Sequence, residues 1–144
     1  MNETETDMTP PAPAFARDAG GRDRFVGVSP KEVLHAVFGF PDFRSLQGQA
    51  VDCVMNGRDA LVLMPTGGGK SICYQVPALC RAGMGLVISP LIALMDDQVA
   101  GLRQVGVNAA ALHSELDGDE AAKIRADLAA GRVDLLYVSP ERLL

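Results

Sequence analysis

The run Met64-Pro65-Thr66-Gly67-Gly68-Gly69-Lys70-Ser71 follows directly on the apolar stretch Ala60-Leu61-Val62-Leu63. A short buried strand that feeds a helix through a glycine-rich turn is the opening half of a strand-helix-strand unit, so this stretch constrains the fold more than any other. The turn reads as a phosphate-binding loop. Free backbone N–H groups and the positive end of a helix starting near Lys70 converge on one point. In such a loop Lys70 neutralises the β- and γ-phosphates of a nucleotide, and the Ser71 hydroxyl ligates magnesium. Met64 stands where the usual pattern has its first glycine, so the match is incomplete. The competing reading is a flexible surface turn that opens an ordinary helix.

Apolar runs alternate with helical patterns from there on: Ala60 to Met64, Lys70 to Arg81, Leu86 to Ser89, Leu91 to Val105, Asn108 to His113, Asp119 to Ala130 and Leu135 to Ser139. Leu86-Val87-Ile88 and Leu135-Leu136-Tyr137-Val138 lack polar alternation, as strands of a parallel sheet covered on both faces require. The predicted class is therefore α/β. Pro77 removes one backbone donor and crowds the Cys73 carbonyl, which predicts that its helix kinks or ends near Val76. Upstream, Ser29-Pro30-Lys31-Glu32 has the cap, the first-turn proline and the acid of a helix start, Val33, Leu34, Val37 and Phe38 form its buried stripe, and Gly39 stops it. A second helix is predicted from about Ser45 to Met55. Residues 1–28 hold only scattered apolar side chains and read as a disordered leader, leaving 29–144 as the folded unit.

A chain of 144 residues with 48% apolar content suffices for one core and is too short for two domains. The formal charge of −5 supplies no global basic field, so a nucleic-acid partner has to be held by local donors. Cys53, Cys73 and Cys80 show neither disulfide nor zinc spacing; buried free thiols in a reducing cytoplasm fit them better. No apolar run is long enough to span a bilayer. Asp96-Asp97 reads as a solvated helix face, and His35 and His113 as structural or surface residues.

The segment Phe38-Gly39-Phe40-Pro41-Asp42-Phe43-Arg44-Ser45-Leu46-Gln47 carries groups able to hold a purine. A Gln side chain accepts from the adenine amino group while donating to N7, and guanine presents a carbonyl at that position instead. Phe40 can stack on one ring face, and Arg44 on the other face or on a phosphate. A helix-connecting turn with core aromatics explains the same residues equally well.

Four ordered blocks resemble the RecQ family of superfamily 2 DNA helicases over residues 29–144: Phe38 to Gln47, Met64 to Pro77, Val87 to Val99 and Leu135 to Leu143. The resemblance implies a RecA-like parallel sheet with helices on both faces, here a partial first ATP-binding domain that is incomplete on its C-terminal side. It implies ATP and Mg²⁺ as cofactors and single-stranded or partially duplex DNA as partner, with no membrane. By the same resemblance Phe40, Arg44 and Gln47 recognise adenine. Thr66, Gly67, Gly68, Gly69, Lys70 and Ser71 hold the phosphates, Lys70 and Ser71 act in catalysis, and Ser71 carries the metal. Ser89, Pro90 and Leu91 then touch phosphates of the single strand. Phe40 stands where Tyr is common, and Ser45-Leu46 where Pro-Gly is common, which changes the expected shape of that turn. Pro140 and Glu141 match a further block near the DNA channel, although an acid in the first turn of a helix explains Glu141 as well.

The sequence ends before any Asp-Glu box that would orient an attacking water. A parent helicase of 3′-to-5′ polarity, acting in recombination and repair, is the implied whole, and the fragment is expected to bind rather than unwind. Absent central strands predict unpaired sheet edges, an exposed apolar face and a marginally stable or aggregation-prone fragment. A stand-alone phosphate-loop protein and a truncated, non-catalytic nucleic-acid-binding module are the alternatives.

Overall fold

A computed structural model of the chain describes residues 23–65 and 69–143. Six helices and three strands follow in the order α1 (Pro30–Phe38), α2 (Gln47–Met55), α3 (Ile72–Cys80), β1 (Gly85–Ile88), α4 (Ile92–Gln104), β2 (Ala109–Leu112), α5 (Gly118–Ala129), β3 (Leu135–Val138) and α6 (Pro140–Leu143). The cap signals act as their residue types demand. Ser29 Oγ accepts from the Glu32 N–H at 3.2 Å, and Gly39 ends α1 in the left-handed region that glycine enters without strain (φ 76°).

The sheet is wholly parallel, in the order β1-β3-β2. Leu135 is the register partner of both Gly85 and Ala109. Because successive strand residues face opposite ways, β3 splits its apolar side chains between two cores. Leu135 and Tyr137 join the larger cluster with Val33, Leu34, Val51, Val76, Met95 and Leu102, drawn from α1 to α4. Leu136 and Val138 join Ile124 of α5 and Val133 on the other face. Helices therefore cover both faces, as the uninterrupted apolar strands predict. Cys73 and Cys80 are buried free thiols on α3, and desolvation pushes Cys80 up to about 11.

Three expectations need correction. The stretch Ala60 to Met64 joins no strand of the described sheet. Its Leu61 and Leu63 are 89% and 79% exposed. An apolar run becomes a strand only where a neighbour accepts its ladder bonds, and periodicity cannot supply that neighbour. Second, α3 does not end near Val76, one of the two outcomes expected at Pro77, but runs through it to Cys80. Proline costs the helix one bond to the carbonyl four residues back, and the ladder resumes with the Arg81 N–H donating to Pro77 O at 3.1 Å. The ring is fully buried, which offsets that lost bond.

Third, residues 23–28, assigned to the leader on composition, pack onto the domain. Phe25 is only 3% exposed within the larger cluster. Asp23 Oδ1 accepts from the Gly83 N–H at 2.8 Å, and Arg24 Nη2 donates to Gly106 O at 2.8 Å and to Asp134 Oδ2 at 3.3 Å. One buried aromatic and two anchoring side chains offset the cost of ordering this short stretch, which its average composition conceals. The rest of the leader, residues 1–22, lies outside the described residues.

Leu86 and Ile88, on the face of β1 away from the large core, are 51% and 56% exposed. Like Leu61 and Leu63, they are the uncovered apolar side chains that the sequence leads one to expect. Both outer strands of the sheet have a free edge among the described residues.

Candidate functional site

Gly69 closes the glycine run with φ 75°, a conformation that L side chains rarely adopt. A Cβ at this position would overlap the Gln47 amide nitrogen. The glycine is thus required twice, by its own backbone and by the side chain that crosses it. Ser71 follows as the cap residue of α3, with helical backbone angles and no side-chain bond to the helix. Its hydroxyl is therefore not consumed by capping. Lys70 is exposed beside it, and no ion pair among the described residues engages its ammonium. Thr66, Gly67 and Gly68, read from the sequence as phosphate contacts, lie outside the described residues.

The structure brings the upstream turn onto this loop. Gln47, the first residue of α2, is 5% exposed. Its Oε1 accepts from the Arg44 N–H at 2.8 Å, and its Nε2 donates to Gly69 O at 3.0 Å. A carboxamide offers two donors and two acceptor sites, so one of each is left over. The leftover set, an acceptor beside a donor, matches the amino and N7 edge of adenine.

Phe40 and Arg44 flank the same opening. The Arg44 guanidinium lies over the Phe40 ring with Cζ 5.9 Å from the centroid. A purine sandwiched between them needs roughly twice a stacking contact of about 3.5 Å, so Arg44 must swing outward to admit one. Both residues are exposed, which keeps that movement inexpensive. Ser45 adopts φ 47°. Proline is locked near −65°, so the turn differs in shape from one built on Pro-Gly at Ser45-Leu46.

These groups open on a cavity of about 600 Å³ lined by Phe40, Arg44, Gln47, Gly69 and Ser71 and also by Gln75 and Gln98. Gln75 and Gln98 bring a polar network to this cavity that the motifs do not announce. Gln75 Nε2 donates to Gln98 Oε1 at 2.9 Å and to the Tyr137 hydroxyl at 3.1 Å. The Tyr137 and Tyr74 hydroxyls are 3.0 Å apart, and burial pushes the Tyr74 phenol well above its ordinary value. Gln75 lies four residues after Ser71, which puts it on the same helix face, and that spacing is the sequence signal that could have found it.

Ser89, Pro90 and Leu91 lie apart from this cavity, between β1 and α4. The Ser89 N–H donates to Val138 O at 3.0 Å, and its Oγ accepts from the Leu91 N–H at 3.3 Å. Pro90 and Leu91 are exposed, and the first N–H groups of α4 have no partner within the helix, as at any helix start. Pro140 opens α6, with Glu141 exposed in its first turn.

Asp96 and His113 form a separate structural pair. His113 Nδ1 accepts from the Glu115 N–H at 3.2 Å. That fixes the hydrogen on Nε2, which donates to Asp96 Oδ1 at 3.0 Å. Among the described residues no group of three His, Cys, Asp or Glu side chains could hold a metal ion. The donor set around Ser71 suits a hard cation that arrives with phosphate oxygens and takes a single hydroxyl from the protein.

Comparison with known proteins decides the lineage. Residues 44–144 match the family described as DEAD/DEAH box helicase. The chain belongs to that family.

Among curated DEAD/DEAH box relatives, it is 49% identical over 114 residues to the ATP-dependent DNA helicase RecQ of Synechocystis, covering 79% of this chain and 24% of that protein. The RecQ of Pasteurella multocida is 50% identical over 113 residues, 78% of this chain and 18% of the relative. The ATP-dependent DNA helicase Q1 of Mus musculus is 42% identical over 115 residues. The chain thus spans between about a fifth and a quarter of the length of these relatives. A solved structure described as a hypothetical ATP-dependent RNA helicase from Sulfolobus tokodaii superposes with a TM-score of 0.62, covering 79% of this chain and 34% of that one at 23% identity. That likeness shows the RecA-like helicase fold, and the sequence identities bear out the RecQ resemblance. The family match begins at Arg44, so Arg44, Gln47, the loop and Ser89 to Leu91 all lie inside it, and Phe40 lies just before it.

Proposed function

We propose that this chain is the nucleotide-binding and single-strand-contacting part of an ATP-dependent 3′-to-5′ DNA helicase of the RecQ type. The observation that carries the reading is the Gln47 carboxamide, which ties Arg44 N–H to Gly69 O and so joins the purine turn to the end of the phosphate loop. Nothing in a mere helix-connecting turn calls for that bridge. Gln47, Phe40 and Arg44 hold adenine. The loop from Thr66 to Gly69 supplies backbone donors, Lys70 neutralises phosphate, and Ser71 offers its hydroxyl to Mg²⁺. Bound ATP supplies the phosphoanhydride whose cleavage drives strand separation in a helicase. What these residues do is bind and orient it. Ser89, Pro90 and Leu91 contact DNA phosphates through a hydroxyl and helix-start N–H groups, which suits a chain of net charge −5. Binding, without unwinding, is the activity expected of the 144 residues alone.

Titration of a fluorescent ATP analogue tests the site. Hydrogen bonds to charged groups contribute about 1.5–3 kcal/mol, so Lys70→Ala is expected to weaken binding by about tenfold or more. Unchanged affinity in that variant overturns the phosphate assignment. A bidentate pair discriminates bases by about 1–3 kcal/mol, so Gln47→Ala is expected to narrow the preference for ATP over GTP by about an order of magnitude. A preference left intact removes Gln47 from the adenine role.

A further inference from the structure

α3 and α4 carry the two candidate ligand sites at their N-termini, Lys70-Ser71 on one and Ser89-Pro90-Leu91 on the other. Their backbones hardly approach each other. Among the described residues, the side-chain hydrogen bond that joins them is the one from Gln75 Nε2 to Gln98 Oε1 at 2.9 Å. Gln75 is 4% exposed and spends its second N–H on the hydroxyl of Tyr137 at 3.1 Å. Tyr137 belongs to β3, the central strand, whose end also accepts the Ser89 N–H through Val138 O. Both Gln side chains line the cavity that Gln47, Gly69 and Ser71 open on.

We infer that Gln75 is a positioning residue that couples occupancy of the nucleotide site to the affinity of the α4 N-terminus for single-stranded DNA, an inference resting on the functional reading above. Its two donors reach two other elements at once. A ligand that draws the start of α3 toward its phosphates moves Gln75 with it. A hydrogen bond of this length tolerates only a few tenths of an ångström before it weakens steeply. α4 must therefore follow, or a buried donor is left without a partner. The bridge also has a direction: Gln75 donates to both neighbours, and Gln98 accepts.

That asymmetry provides the test. Anisotropy of a labelled oligothymidylate is titrated with the 144-residue chain, with and without a non-hydrolysable ATP analogue and Mg²⁺. The unmodified chain is expected to show a coupling factor within the usual range of about 5–150-fold. Gln75→Glu, which has no donor, is expected to bring the factor toward one, each ligand's separate affinity being measured alongside. Gln98→Glu keeps the acceptor and is expected to retain the factor. Gln75→Met, similar in volume and without polar atoms, is expected to behave as Gln75→Glu, and it substitutes for that variant if thermal unfolding shows that the carboxylate prevents folding. A factor that survives Gln75→Glu or Gln75→Met overturns the inference, as does equal loss in Gln98→Glu. An unmodified chain that binds both ligands without mutual effect overturns the inference alone. One that binds neither overturns the functional reading and the coupling with it.

Discussion

At the scale of single residues, the site depends on backbone positions that tolerate little change. Gly69 combines φ 75° with a Gln47 amide nitrogen where a Cβ would sit. Gly69→Ala is therefore expected to displace Gln47 and to cost about 1–2 kcal/mol in left-handed strain alone, visible as a lowered denaturation midpoint together with weaker nucleotide binding. Ser45, at φ 47°, gives the opposite case. Ser45→Gly relieves strain and is expected to raise stability by a few tenths to about 1 kcal/mol, whereas Ser45→Pro cannot adopt the angle and should destabilise. Both outcomes can be read from chemical denaturation. Gln47 was legible in the sequence because its carboxamide has a specific chemical use. Gln75 was not singled out, because a Gln in an apolar helix announces no partner until α4 and β3 are in place.

Helices and strands follow sequence signals where the signal is local and depart from them where it is not. The α1 caps were legible because Ser29, Pro30 and Gly39 act within a few residues, and Ser29→Ala is expected to cost about 1 kcal/mol in thermal or urea unfolding. The periods of α4, α5 and β3 were legible for the same reason. Ala60 to Met64 failed as a strand because pairing is a property of two segments. Pro77 failed as a helix stop because burial of the ring offsets the lost bond. The link between the first turn and the start of β2 was hidden for a related reason, since it rests on one buried carboxylate. Asp134 Oδ2 accepts from the Asn108 N–H at 2.9 Å and from Arg24. Desolvation raises its pKa above 3.8, against the lowering effects of the Asn108 bond and Arg24. The folded state then holds this proton more tightly than the unfolded one, so the group's contribution to stability falls as pH rises through the window above 3.8. Asp134→Asn cannot ionise. Its stability relative to the unmodified chain is expected to improve as pH rises from about 4 to 7, and parallel curves from urea titrations would contradict this.

For the molecule as a whole, the exposed apolar side chains of Leu61, Leu63, Leu86 and Ile88 govern behaviour in solution. Apolar area removed from water contributes about 25 cal/mol per Å², so covering these side chains between copies is favourable at raised concentration. Self-association is expected in sedimentation velocity, and Leu61→Lys with Ile88→Lys should shift the chain toward monomer. The fold class was legible because continuous apolar strands between amphipathic helices admit few architectures. The order of the strands was not, since nothing in four residues of β3 marks them as the middle of the sheet. That placement governs the order of assembly. Among the described residues β1 and β2 do not pair with each other, and each pairs with β3, which follows both of them in the sequence. On a ribosome the helices can coil as they emerge, but these three strands cannot pair until Leu135 to Val138 have cleared the exit tunnel. Both strands therefore lack this partner while the intervening residues are made, a window in which a chaperone has something to hold.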